Sequence, residues 1–193
     1  MATTKAKATT QPRLAVAYDQ EIRDQLKKDL KLGNVHQVPK LEKIVVSVGT
    51  GRSKEDKRAQ EAVENTLRKI TGQQPVPTIA RKSIAGFKLR EGQKVGYKVT
   101  VRGERMYELF DRLVTVVIPR LRDFHGVPLT FDQGANYNLG LTEQSVFPEL
   151  SFEDTNVLHG LQFTFVTTTN NSDHAVALLK ALGMPFEKNK GDA

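Results

Sequence analysis

The 193-residue chain has no cysteine. That excludes disulfides and thiolate metal sites, and it leans towards the cytosol without fixing the redox compartment. Long apolar runs are also missing. No stretch approaches the roughly 20 residues a membrane-spanning helix needs, so no membrane partner is expected. The opening MATTKAKATTQPR contains no acid and no apolar core of the kind a secretory leader carries. It is short for a transit peptide, with a single Arg, and residues 1–12 read as a disordered basic tail. Catalytic patterns are absent as well. The four histidines (His36, His125, His159, His174) are scattered, and neither paired carboxylates nor H-E-x-x-H occurs. His125 lies beside Arg122 and Asp123, but no nucleophile is near it in sequence. No enzyme activity, metal or cofactor is expected.

What is present is positive charge, and it is concentrated. The net charge is +7 and the pI about 9.6. Between Arg81 and Arg105, eight Lys or Arg face two acids, a net +6 within 25 residues. Such a local field suits a polyanion, of which nucleic acid is the commonest. The segment begins as a basic, glycine-containing loop, ARKSIAGFKLREG, and becomes a strand, KVGYKVTVR. Side chains alternate along a strand. Val95, Tyr97, Val99 and Val101 therefore share an apolar face, while Lys94, Gly96, Lys98, Thr100 and Arg102 share a cationic one. An ordinary solvated outer face has the same pattern. The loop at 81–92 favours binding: Arg81, Lys82, Lys88 and Arg90 suit phosphates, Ser83 adds a hydroxyl, Gly86 permits close approach, and an exposed Phe87 can stack on a base or ribose. A mobile hairpin with Phe87 turned to the core is the competing account.

In chain order, residues 13–32 read as an amphipathic helix with Leu14, Ala17, Tyr18, Ile22, Leu26 and Leu30 on one face. Residues 41–49 read as a strand, with Ile44, Val46 and Val48 inward and Lys43, Val45 and Ser47 outward. The GTGRSKED that follows lacks the third glycine of a dinucleotide turn and the Gly-Lys-Ser/Thr of a P-loop. It reads as a turn with Ser53 capping a helix over 54–70, and with Glu55 and Asp56 in its first turn. That helix packs through Ala59, Ala62, Val63, Leu67 and Ile70. A short strand at 76–80, flanked and interrupted by Pro75 and Pro77, belongs at an edge. Residues 104–118 form a helix packing Met106, Leu109, Phe110, Leu113 and Val117, closed by Pro119. Residues 134–142 are a loop entering a short strand. Residues 161–169 alternate, with Leu161, Phe163 and Phe165 inward and Gln162, Thr164, Val166 and Thr168 outward. A last helix at 172–182 takes Ser172 as its cap.

Each clear strand thus has one apolar and one polar face. The expected fold is α+β: an open-faced sandwich of mainly antiparallel sheet, helices on one face and the other face exposed. One domain spans 13–186, with a frayed tail at 187–193. The open face would carry Ser47, Lys94, Lys98, Thr100, Arg102, Gln162 and Thr164, groups suited to phosphate and 2′-OH contacts more than to base stacking.

Five segments carry a resemblance to a known family: QVPKLEKIVVSVGTG (37–51), ARKSIAGFKLREG (80–92), KVTVRGERM (98–106), IPRLRDFHG (118–126) and NYNLGLTEQSVFPE (136–149). The chain resembles the bacterial large-subunit ribosomal protein L-five family from about Leu14 to Phe186. The resemblance implies a structural protein of the cytoplasmic ribosome that anchors 5S rRNA in the central protuberance. The implied 5S contacts are Ser47, where the family often has Asn, together with Gln73, Thr100 and Arg102. The implied partners are 5S rRNA, large-subunit rRNA, other 5S-associated ribosomal proteins and peptidyl-site tRNA, the last through the 81–92 loop. A small-subunit head protein completes the set, at a bridge expected within 109–145. Three other functions compete with it: an RNA-binding or RNA-processing protein outside the ribosome, an RNA-cleaving enzyme, and a basic adaptor that binds no RNA.

Overall fold

The computed structural model describes residues 11–51, 56–122 and 124–187. Five strands form one sheet: β1 (Leu41–Gly49), β2 (Val76–Ile79), β3 (Lys94–Val101), β4 (Tyr137–Leu141) and β5 (Leu161–Thr167). Their order is β2-β3-β1-β5-β4, and every neighbouring pair is antiparallel. β1 is the middle strand and pairs along both edges. Val46 lies opposite Val99 of β3 and Phe163 of β5, and Ile44 opposite Val101 and Phe165. These side chains are almost wholly buried, and full burial of each contributes roughly 1.5–3 kcal/mol relative to exposure.

Among the described residues, the helices cover this face and leave the other open. α1 (Arg13–Ala17) continues through a wide π turn, Tyr18–Ile22, into α2 (Arg23–Asp29). α3 (Lys57–Thr71) packs on β3, α1 packs on α4 (Glu104–Arg112), and α2 packs on α5 (Ser172–Ala181). The expected stripes are the packing faces. Tyr18, Ile22 and Leu26 are buried, as are Val63, Leu67 and Ile70 of α3 and Met106, Leu109 and Phe110 of α4. Phe110 meets Phe165 edge-on at 5.6 Å, a favoured aromatic geometry.

Several boundaries differ from the sequence reading. Ser53 and Glu55 lie outside the described residues, and Asp56 is itself the cap of α3. Its Oδ1 accepts from the N–H of Arg58 (2.9 Å) and of Ala59 (3.3 Å), satisfying donors the helix leaves open. At α5 the cap is Asn171, whose Oδ1 accepts the Asp173 N–H at 2.9 Å, and Ser172 is already helical. Pro119 does not close the third helix. α4 runs on through a π turn (Leu113–Val117) into a 3-10 turn (Ile118–Arg120), where proline fits near the start because its missing N–H is not needed.

Two glycines fix the geometry around β3. A Cβ on Gly96 would lie 2.4 Å from the Val48 carbonyl oxygen, so only glycine lets β3 approach β1 this closely. Gly103 takes φ +64° in the turn from β3 into α4.

Candidate nucleic-acid interface

Strand register places the outward side chains in rows across the uncovered face. Val76, Lys98, Ser47, Gln162 and Gly140 form one row from β2 to β4. Thr100, Val45, Thr164 and Asn138 form the next. Lys98, Thr100, Arg102 and Gln162 are exposed, while Ser47 and Thr164 are half-buried between neighbours. Thr164 Oγ1 donates to Asn138 Oδ1 at 2.6 Å, which fixes the hydroxyl and leaves the Asn138 amide hydrogens outward. Asn138 is not among the expected outward residues, although the alternation of Tyr137, Leu139 and Leu141 with Asn138 and Gly140 is the signal that marks it.

Gln73 joins the same end of the sheet. Val76 sits opposite Lys98, so the chain before it runs back towards the Thr100–Arg102 end of β3. Arg105 Nη1 donates to the Gly72 carbonyl there at 3.4 Å. The structure therefore gathers Ser47, Lys98, Thr100, Arg102 and Gln73 at one region. Lys94 departs from the expected alternation. Val95 is an extra residue in the β2–β3 register, and such a bulge re-aims its neighbours. Lys94 Nζ consequently lies 5.9 Å from the ring centre of Tyr97, a covered-face residue, and belongs to the rim of the open face.

The charges on this face are unequal. Lys98 makes no ion pair among the described residues. Arg102 does: its Nη1 lies 3.2 Å from Glu42 Oε1, with Lys43 Nζ at 3.7 Å from the same oxygen. Exposed pairs of this kind add little stability, about 0–1 kcal/mol, so their meaning is local charge.

The basic loop is an ordered hairpin extension. Ala80 N–H donates to the Gln93 carbonyl (2.9 Å), Gly92 N–H to that of Ala80 (3.0 Å), and Ile84 and Leu89 exchange both backbone bonds at 3.0 and 3.1 Å. Ser83 Oγ accepts the Glu91 N–H at 2.9 Å. A 3-10 turn, Ala85–Phe87, forms the tip and contains Gly86; Lys88 follows it at φ +50°. Phe87 is 66% exposed, so it does not turn to the core. Arg81, Lys82, Lys88 and Arg90 are all exposed and form no ion pair among the described residues. The result is a cationic finger with an aromatic tip, displaced along β2 and β3 from the Ser47 cluster. At the edge of the sheet itself, Pro77 of β2 and Pro75 in the turn before it offer no N–H to a further strand.

Elsewhere, Arg120, Arg122, Glu143 and Ser145 line a cleft of about 300 Å³. Behind it the fully buried Gln144 uses both ends of its amide, donating to the Val157 carbonyl (2.7 Å) and accepting the His159 N–H (2.8 Å). The His159 Nδ1 faces the Val157 carbonyl at 3.1 Å, and burial lowers its pKa below the ordinary imidazole value. His125 is exposed. Among the described residues, no group of three or more His, Asp or Glu is placed to hold a metal, and no helix is long and apolar enough to cross a membrane.

Two family models match the chain. One, "Ribosomal protein L5", covers residues 34–90, and the other, the C-terminus of the same ribosomal protein family, covers residues 94–186. The chain is 50% identical over 177 residues to the large ribosomal subunit protein uL5 of Anaeromyxobacter sp. (strain Fw109-5), covering 91% of this chain and 98% of that relative. It is 50% identical over 176 residues to uL5 of Leptospira biflexa serovar Patoc, covering 91% and 96%. With uL5 of Flavobacterium johnsoniae it shares 49% identity over 179 residues, covering 92% and 98%.

Proposed function

This chain belongs to the ribosomal protein L5 family, and from that premise we propose that its open sheet face holds 5S rRNA in the large ribosomal subunit. Its role is structural and not enzymatic, and its place is the cytoplasmic ribosome. One observation carries the binding reading. Groups from three strands (Ser47, Lys98, Thr100, Gln162 and Thr164), with Arg102 just past β3, converge on the side of the sheet that no helix covers among the described residues, and Gln73 lies in the turn before β2 at the Thr100–Arg102 end. Lys98 and Arg102 supply charge for phosphates, with Lys94 at the rim. Thr100, Ser47 and Gln73 supply short hydrogen-bonding groups that fix register on the backbone. Ser47 offers a single hydroxyl where an amide would offer a donor and an acceptor, so it fits one sugar or phosphate oxygen.

The hairpin has a second role in this reading. Its four exposed cations and exposed Phe87 reach beyond the sheet and meet the tRNA in the peptidyl site. The bridge to a small-subunit head protein falls within 109–145, where Arg120, Arg122 and Glu143 present both signs of charge beside a shallow cleft. Large-subunit rRNA and the other 5S-associated proteins complete the surroundings.

A photocrosslinker at position 98 tests the face assignment. It is expected to capture 5S rRNA, while the same group at Glu61, exposed on α3, captures none. Equal capture at both positions would remove the face assignment. Replacing Lys88 and Arg90 by Gln together is expected to spare 5S binding and weaken tRNA binding to the assembled ribosome. Loss of 5S binding in that variant would merge the two surfaces into one.

A further inference from the structure

Among the described residues, Glu42 is the one carboxylate that the paired strands bring to the open face, and the fold places it there by an irregularity. Leu41 pairs with Thr167 and Lys43 with Val166, so two steps along β1 answer one step along β5. Glu42 is the extra residue. A bulge lets two successive side chains leave a strand on the same side. Leu41 and Ile44 accordingly both reach the core, and Glu42 and Lys43 both point outward. The outward carboxylate then contacts both neighbouring cations through one oxygen, Arg102 at 3.2 Å and Lys43 at 3.7 Å.

We propose that Glu42 sets the selectivity of the RNA face by guarding Arg102. This inference rests on the RNA-binding reading above. Arg102 engages Glu42 through Nη1, and its remaining donors stay open to the solvent side, where the side chain is 57% exposed. A backbone that brings a phosphate to that open edge gains the guanidinium without meeting the carboxylate. A backbone that lies across the bulge meets Glu42 first and is repelled. Polyanions of the wrong shape therefore find two of the cations at this end of the face sharing one carboxylate, their joint charge cut from +2 to +1. The Glu42 carboxylate lowers affinity for RNA in general and spares the RNA whose phosphate fits beside it.

The test measures binding of wild type, Glu42→Gln, Arg102→Gln and the double variant to 5S rRNA and to an unrelated structured RNA of equal length, across a salt series. Glu42→Gln is expected to tighten the unrelated RNA roughly fivefold, the scale of one unit-charge interaction at short range in water. Its salt slope for that RNA steepens by about one counterion, and the preference for 5S rRNA shrinks. In the Arg102→Gln background the part of the Glu42→Gln effect that runs through the guanidinium is lost while the direct repulsion remains, so the effect is expected to shrink without vanishing, a coupling that a purely structural role of Glu42 does not produce. An unchanged preference in Glu42→Gln, or an equal shift for both RNAs, overturns the guard while leaving the RNA reading intact. A wild type that shows no preference for 5S rRNA overturns the RNA reading itself.

Discussion

On β5, Phe163 and Gln162 are neighbours with opposite surroundings. Phe163 is wholly buried, opposite Val46 and Leu139 and stacked on Phe147 at 6.0 Å. Gln162 is exposed, opposite Ser47 and Gly140. The same alternation runs along β1 beyond Lys43 and along β3 beyond Val95, so one sheet carries two surfaces with different requirements. The covered surface is constrained by volume, because a close-packed interior feels the loss of even one methylene. The open surface is constrained by where donors and charges sit, and contributes little to folding.

The largest expected effect separates these surfaces directly. Phe163→Ala should cost about 3–5 kcal/mol of stability, as deletion of a buried aromatic does, read from denaturant unfolding. Gln162→Ala should change stability by no more than about 0.5 kcal/mol. Comparable losses in the two variants would mean the open face is packed against something. A smaller effect sharpens the comparison from the other side. Thr100→Ala should leave the unfolding midpoint unchanged and weaken 5S rRNA binding by about 1 kcal/mol, one hydrogen bond; unaltered affinity would strike Thr100 from the contacts.

The smallest effect concerns pH. Burial lowers the His159 pKa in the folded chain below its unfolded value, so protons bind the unfolded chain more readily. This contribution is whole above the ordinary imidazole value of about 6.5 and is lost as pH falls through the folded value. The thermal midpoint should therefore drop as pH falls below about 6.5, and His159→Gln should flatten that part of the profile. An unchanged slope in the variant would assign the acid sensitivity to other groups.

Much of this is legible because alternation is a local signal. Residue type and spacing alone place β1 at 41–49 and turn Val99, Val101, Phe163 and Phe165 inward, as the structure has them. Caps are less legible. Asp56 competes with Ser53 and Asn171 with Ser172, and short polar residues side by side offer the same chemistry until the backbone chooses. Bulges hide Glu42 and re-aim Lys94, although Leu41 and Ile44, two core residues three apart, mark a break in period two. Gln144 is not legible at all, since its partners lie 13 and 15 residues away. Strand order is likewise a property of pairing, which no single segment contains.

The most direct test of the two-surface account is 5S rRNA binding by the wild-type chain across salt, with an unrelated structured RNA of equal length as competitor. The account predicts tight binding that survives the competitor and weakens steadily as salt rises. Equal displacement by the competitor, or affinity indifferent to salt, would contradict it.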